Sequence, residues 1–255
     1  MIILKTRSEI KKIEEANKIV AVVLEEILPK IIKPGVSTLE LDRVAEDYIL
    51  SKGAKPGFKG YRLGSLTFPA TLCISINEEV VHGIPSRKRK LKEGDIVSID
   101  VGTNMNNYYG DAARTYSVGE ISDGAKKLMK CTRTALDIGI SEAKVGNRIS
   151  DISYAIQKYS EGNGFSVVRD FCGHGVGRYL HEDPQIPNFG KKGRGSRIED
   201  GMVLAIEPML NEGTYKVKTM RDGWTVKTRD GRNSAHFEHS IAIVDGKAKI
   251  LSKLD

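Results

Sequence analysis

The sequence predicts an α+β fold in which two similar helix–helix–strand units, related by a pseudo-twofold axis, surround a central antiparallel sheet with their helices on one side. Three observations predict it. First, "KPGVSTLELDRVAEDYILSKGA" from Lys33 and "KVGNRISDISYAIQKYSEGNGF" from Lys144 match at a constant offset of 111, with Gly35 on Gly146, Leu41 on Ile152, Tyr48 on Tyr159 and Gly53 on Gly164. Second, "EGDIVSID" from Glu93 and "DGMVLAIE" from Asp200 match at an offset of 107, with Gly94 on Gly201, Ile99 on Ile206 and Asp100 on Glu207. Third, both halves run in the same order, from helical patterns to an extended run that ends in an acid. Self-similarity over so long a period marks a duplicated unit. No linker-like stretch divides the halves, so one domain is expected over residues 1–255, with repeats near 1–118 and 119–255.

The elements follow in order. Thr6 with Glu9 three residues later reads as a capping box. It opens a helix to about Leu28 with an apolar stripe of Ile10, Ile13, Val20, Val23, Leu24 and Ile27. Pro29 and Lys33-Pro34-Gly35 punctuate. A second helix is predicted over 37–51, with Leu41, Val44, Tyr48 and Ile49 toward the core and Gly53 at its C-terminal end. Val97, Ile99 and Val101 then alternate with Ser98, Asp100 and Gly102 as in a half-buried strand. A hairpin folded symmetrically about the Met105–Asn106 bond sets Asp100 opposite Asp111, and opposed like charges destabilise a strand pair unless something lies between them. Near the C-terminus "NSAHFEHSIAIVDG" reads as one strand, with Phe237, His239, Ile241 and Ile243 on one face and Glu238, Ser240 and Ala242 on the other. Asp245-Gly246 signals a turn into a last strand over 248–251.

Composition bounds the function. Of 255 residues 40% are apolar and 29% charged, which fits a soluble globular protein with a real core. The net charge of +7 favours weak attraction to polyanions such as RNA. The basic runs at 87–92 and 191–197 carry no interleaved aromatics, so they read as solvated loops rather than specific nucleic-acid readout. Cys73, Cys131 and Cys172 have no metal-like spacing, which suits free thiols in a reducing compartment. "MIILKTRSEI" is too short an apolar run for a signal peptide, and no stretch approaches transmembrane length. A cytoplasmic protein is expected, with no membrane partner.

Four acids, Asp100, Asp111, Glu207 and Glu238, lie in strand-like runs of apolar or small residues. Clustered carboxylates cannot all stay ionised without a compensating charge, and a pair of divalent cations is the natural one. "CGHGVGRYLHEDP" adds His174 between glycines, with His181 seven residues on. One imidazole among four carboxylates favours Mn, Fe or Co, with Zn also admissible. Each histidine, His82 of "VVHGIP" included, also has a plain reading as a hydrogen-bonded scaffold residue. His236 carries little signal, and His239, on the face opposite Glu238, reads as structural.

Together "CISINEEVVHGIP", "GDIVSIDVG", "GHGVGRYLHEDP", "AIEPM" and "FEHSIAI" resemble the methionine aminopeptidases, which have the pita-bread fold, over nearly the whole chain. The resemblance is to the short, bacterial-style type I form. Only 25 residues separate His181 from Glu207, too few for the helical insertion of type II, and no N-terminal zinc-binding extension is expected. The resemblance implies a monomeric metalloenzyme that removes the initiator methionine from nascent chains and peptides with a small second residue. It implies that Asp111 and Glu238 bridge two metals, that Asp100 ligates one, and that His174 and Glu207 ligate the other. A water or hydroxide between them attacks the scissile carbonyl. Glu207 shuttles the proton, His181 stabilises the intermediate, His82 contacts the scissile amide nitrogen, and the substrate amine lies near Asp100.

The methionine pocket then falls to Phe58, Tyr61, Phe68, Cys73, Leu180 and Trp224, types that suit a thioether. Two departures stand out. "RLGSLT" makes the connection between Tyr61 and Phe68 several residues longer than usual, and Leu180 stands where an aromatic is common. Asn77, Glu79 and Ser234 match a monovalent-cation site for Na or K, bound mainly through backbone carbonyls. The positive charge suits docking near ribosomal RNA. A proline-directed peptidase of the same fold and a catalytically dead binding module are the competing readings. The first usually carries a sizeable extra N-terminal domain, and the second usually loses metal ligands, all five of which stand here.

Overall fold

The computed structural model describes residues 1–254 and forms the two N-terminal helices where the periodicity places them. Helix α1 (Arg7–Val22) starts from the Thr6–Glu9 capping box. It continues through a π-helical segment, Val23–Ile27, into α2 (Leu28–Ile31), so the helical rod passes the predicted stop at Leu28. Pro29 falls in the first turn of α2, where a missing N–H is tolerated. Helix α3 (Thr38–Ser51) and, in the second half, α4 (Asp123–Glu142) and α5 (Ile149–Gly162) follow. The ends of α3 and α5 differ by 111 at both termini, the offset read from the sequence. The correspondence reaches the caps: Glu40 accepts the Ser37 N–H and Asp151 accepts the Arg148 N–H. Ser37 bridges Lys90 as Arg148 bridges Arg197. The inward stripe of α3 runs through Leu41, Ala45 and Ile49. Val44 lies one position off it and is 38% exposed, a correction to the predicted core.

The central antiparallel layer consists of two principal sheets. In the first, β1 (Leu72–Ile76), β2 (Ile96–Met105) and β3 (Tyr108–Ser117) pair with β2 in the middle. In the second, β4 (Cys172–Gly175), β5 (Glu182–Pro187), β6 (Val203–Ile206), β7 (His239–Val244) and β8 (Lys247–Ile250) run in the order β5-β4-β6-β7-β8. The strands α1–α3 cover are buried in one apolar cluster, which includes Leu24, Leu41, Ile74, Val97, Ile99 and Val101. The second sheet packs Leu204, Ile206, Ile241 and Ile243 against Leu128, Ile152 and Ile156 of α4 and α5. Val97, Ile99 and Val101 therefore face the helices, and Asp100 faces away from them.

The hairpin register departs from the symmetric one. Asn106 and Asn107 both take left-handed φ, 52° and 63°, and form a two-residue turn of the kind that matches strand twist. Met105 pairs with Tyr108, so Asp100 lies opposite Ala113 and Gly102 opposite Asp111. The two acids are diagonal neighbours. A slip of two residues preserves the face, so both still point to the same side.

The predicted strand through Phe237 is also divided. Ser234–His236 pairs with Met209–Asn211, whereas β7 pairs with β6, leaving Phe237 and Glu238 out of both ladders. Glu207 and Pro208 are the matching interruption between Val203–Ile206 and Met209–Asn211. The cause is a seam between the halves. Glu238 donates its N–H to the Ala113 carbonyl at 2.9 Å, and Ser240 Oγ donates to the Asp111 carbonyl at 2.7 Å. Two of the predicted acids thus project from a shared break in the second sheet, beside the hairpin that carries the other two. Among the described residues no helix is long and apolar enough to cross a membrane.

Candidate active site

Asp100, Asp111, His174, Glu207 and Glu238 line one cavity of 190 Å³. Asp111, His174 and Glu238 are buried, and Asp100 and Glu207 are partly open to the cavity. His174 reaches the acids because its flanking residues have no side chain. A Cβ on Gly173 would lie 2.3 Å from the Ala205 carbonyl oxygen, and one on Gly175 would lie 2.1 Å from that of Asp183. Only glycine lets β4 approach β6 and β5 that closely. His174 Nδ1 lies 2.9 Å from the Gly175 carbonyl, so Nδ1 carries the proton and Nε2 turns its lone pair to the acids. Nε2 is 3.7 Å from Asp111 Oδ2 and 3.6 Å from Glu207 Oε1.

The electrostatics of this cluster are unfavourable as they stand. Asp100 Oδ1, Asp111 Oδ1 and Glu238 Oε1 are buried without a hydrogen-bond partner. Among the described residues no lysine or arginine pairs with any of the four carboxylates. Burial pushes the Asp100 carboxyl up to about 8. Burial, then mutual repulsion, lifts Asp111, Glu207 and Glu238 well above the usual carboxylate range. Burial, then the neighbouring His181, lowers His174 to about 3, so its imidazole is neutral and able to ligate. One donor atom each from Asp111, His174 and Glu238 falls within 4.8 Å of the others. Orphaned carboxylate oxygens around a neutral imidazole are the donor set of divalent cations, and the residues fit that group.

The rest of the cavity is organised around this cluster. His82 adopts φ 60°, a left-handed conformation uncommon outside glycine, and its ring stands edge-on to Phe171 and Trp224. Burial, then His181, lowers it to about 4. His181 is exposed, sits edge-on to His174 with ring centroids 4.4 Å apart, and receives the Tyr61 hydroxyl at 2.9 Å from Nδ1. Phe58, Phe68, Cys73, Leu180 and Trp224 form a buried apolar cluster with Tyr61 packed against it. Phe68 and Trp224 meet edge to face at 5.2 Å. Cys73 pairs with Asp100 across β1 and β2, so the apolar pocket adjoins the acidic cluster directly.

This chain matches the model of metallopeptidase family M24 over residues 11–245. It is 54% identical to methionine aminopeptidase 1 of Bacillus subtilis over 254 residues, all of each chain. It is 52% identical to the methionine aminopeptidase of Clostridium acetobutylicum over 99% of each. The methionine aminopeptidase structure from Thermotoga maritima superposes with a TM-score of 0.96 at 48% identity, covering 100% of both chains. The chain belongs to metallopeptidase family M24. Within the family it stands with the short, type I methionine aminopeptidases and shares their pita-bread fold. The prolidase of Pyrococcus furiosus, at 24% identity and TM-score 0.80, shares the fold alone.

The cavity brings together all five acid and imidazole candidates read from the sequence, His82, His181 and the six pocket residues. Tyr61 differs in emphasis: it is only partly buried, and its hydroxyl is committed to His181. Asn77, Glu79 and Ser234 also come together, since the Asn77 carbonyl accepts the Ser234 N–H at 2.8 Å. The Glu79 carboxylate is already neutralised there by Arg89 and Lys227. His239 turns away to Ser252 Oγ at 2.8 Å, as its strand face predicts.

Sequence reasoning missed His236. It is buried beside the acids, with Nε2 3.9 Å from Glu207 Oε2 and 4.0 Å from Glu238 Oε2, and that Nε2 has no hydrogen-bond partner. Its one signal was position, two residues before Glu238 in an extended run. Asn188, which donates to the Glu207 carbonyl at 3.1 Å, gave none.

Proposed function

We propose that this chain hydrolyses the peptide bond after an N-terminal methionine, in nascent chains and peptides, and prefers a small second residue. The observation that carries the proposal is the adjacency of a buried aromatic pocket with a sulfur-bearing wall to an uncompensated carboxylate cluster. Such a pocket, lined by buried Phe58, Phe68, Cys73, Leu180 and Trp224, suits a thioether side chain. Asp100, Asp111, His174, Glu207 and Glu238 would hold two divalent cations, Co, Mn or Fe, with Zn also admissible. When bound, they supply Lewis acidity and a water that ionises near neutral pH.

The chain's own side chains do the rest. Phe58, Phe68, Cys73, Leu180 and Trp224 bind the methionine. Asp100, beside that pocket, receives the α-amine. His82 reaches the scissile nitrogen. Glu207 takes the proton from the attacking water and returns it to the leaving amine. His181, held through Nδ1 by Tyr61, presents Nε2 to the developing oxyanion. The backbone carbonyls around Asn77, Glu79 and Ser234 would take one Na or K ion. We further read residues 1–255 as a single catalytic unit with halves near 1–118 and 119–255. It would be monomeric and cytoplasmic, drawn to ribosomal RNA by its charge of +7.

A matrix of metals against substrates tests the reading. Protein stripped of metal and reloaded with Mn, Co, Fe or Zn is assayed on Met-Gly, Met-Ala, Met-Val, Met-Phe and Ala-Pro peptide series. Metal-dependent release of methionine from the Met-Gly and Met-Ala peptides, with X-Pro bonds left intact, is expected. Cleavage of X-Pro bonds alone, or of nothing with any metal, would falsify it.

A further inference from the structure

We propose that the hairpin at residues 62–67 is a second recognition element, on which Leu63 selects apolar side chains downstream of the scissile bond. The inference rests on the substrate reading above and extends it. Residues Arg62–Leu63 and Leu66–Thr67 pair antiparallel, Leu63 opposite Leu66. The base of the hairpin is stapled to the pocket. Gly60 donates to the Phe68 carbonyl, Tyr61 to that of Phe58 and Phe68 to that of Tyr61, each at 2.9 Å. The Tyr61 hydroxyl adds the bond to His181. On the other side Leu66 packs so closely on Gly223, beside Trp224, that a Cβ there would meet Leu66 Cδ1 at 2.6 Å.

A segment anchored so firmly holds its tip in a defined place, and that place is the mouth of the active-site cavity. Leu63 lines the same cavity as Asp100 and Glu238 yet is 59% exposed. Among the described residues lining that cavity, only Leu63 and His181 are exposed. The way out therefore passes between them. A peptide whose methionine fills the buried end, with its amine at Asp100, must leave past Leu63. An exposed leucine on a rigid hairpin gains by covering an apolar side chain of the departing peptide and gains nothing from glycine or aspartate. The lengthened "RLGSLT" connection thus supplies a contact surface of its own.

The test compares kcat/KM for Met-Ala-Leu, Met-Ala-Gly and Met-Ala-Asp peptides, and for the same set shifted one residue further, in the wild type, Leu63→Ser and Leu63→Met. All share the Met-Ala bond, so the chemical step is common to them. Expected is a wild-type preference for the leucine peptide over the glycine one of about three- to tenfold. That ratio should collapse toward one in Leu63→Ser and persist in Leu63→Met. Equal ratios in wild type and Leu63→Ser, at both positions, overturn the proposal. If the wild type releases methionine from all the peptides while the ratios ignore Leu63, this inference fails and the aminopeptidase reading stands. If no peptide is cut, it is the aminopeptidase reading that fails.

Discussion

Replacing Lys5 by methionine should destabilise the protein by about 3–5 kcal/mol, the cost of stranding one charge of a buried pair. Lys5 Nζ pairs with Glu182 Oε2, and the two side chains are 4% and 5% exposed. Lys5 also donates from Nζ to the Ile3 carbonyl at 2.8 Å, and its N–H to that of Gly201 at 2.7 Å. Glu182 accepts one further bond, from the Tyr179 N–H at 3.1 Å. A Cβ on Gly177 would lie 2.6 Å from Lys5 Cε and 2.7 Å from Glu182 Oε1, so the pair is closely packed. Methionine keeps the apolar stem of lysine and removes only the charge. The Glu182 carboxylate would then be buried with a single N–H for support. Adding Glu182→Gln removes the stranded charge, and the double variant should recover to within about 1–2 kcal/mol of wild type. The assay is urea unfolding with saturating metal, reading the midpoint at constant m. Because Glu182 follows His181, the single variant should also lower kcat on a Met-Ala peptide, and the double should restore part of it. A Lys5→Met protein within 1 kcal/mol of wild type, or a double variant no better than the single, would refute the reasoning.

His236→Ala should keep the fold yet lower kcat and metal affinity roughly 10- to 100-fold, with partial rescue by His236→Gln; unchanged titrations by calorimetry would remove it from the site. In chelator the folded state holds protons on Asp100, raised to about 8 from 3.8, that the unfolded chain has lost. Stability should therefore fall as pH rises between about 4 and 8, by several kcal/mol, and metal should abolish the slope. A flat or rising urea midpoint for the chelated protein from pH 5 to pH 8 contradicts this. Glu9 behaves oppositely. Its bonds to the Thr6 N–H and the Tyr108 hydroxyl hold it at about 2 against an ordinary 4.5, so its contribution is full above 4.5 and lost as pH falls toward 2. Glu9→Ala should cost about 1 kcal/mol at pH 7 and almost nothing near pH 2, measured by thermal melts.

What the sequence disclosed depended on how local its cause was. The cap at Thr6 and the helices at offset 111 were legible, because capping, glycine punctuation and a 3.6-residue stripe are written into adjacent residues. The acids were legible because a charge in an apolar strand lacks a local reason. The hairpin register was not, since a run of asparagines permits more than one turn, and shifting by two residues alters no side chain's face. The break at Phe237 and Glu238 was hidden because its cause, the Ala113 carbonyl, lies in the other half of the chain. His236 stayed hidden because a buried strand histidine looks alike whether it supports a fold or faces a carboxylate.

The seam between the halves also sets a timetable. The bond from Ser240 to Asp111 closes a loop of 129 residues, and the N–H of Glu238 docks on Ala113 within the same join. Such distant closures come late in folding. A growing chain that has released residues 1–118 carries Asp100 and Asp111 but none of His174, Glu207 or Glu238. Activity therefore waits until synthesis has passed residue 240, and the chain carries no complete carboxylate cluster while it is itself half made.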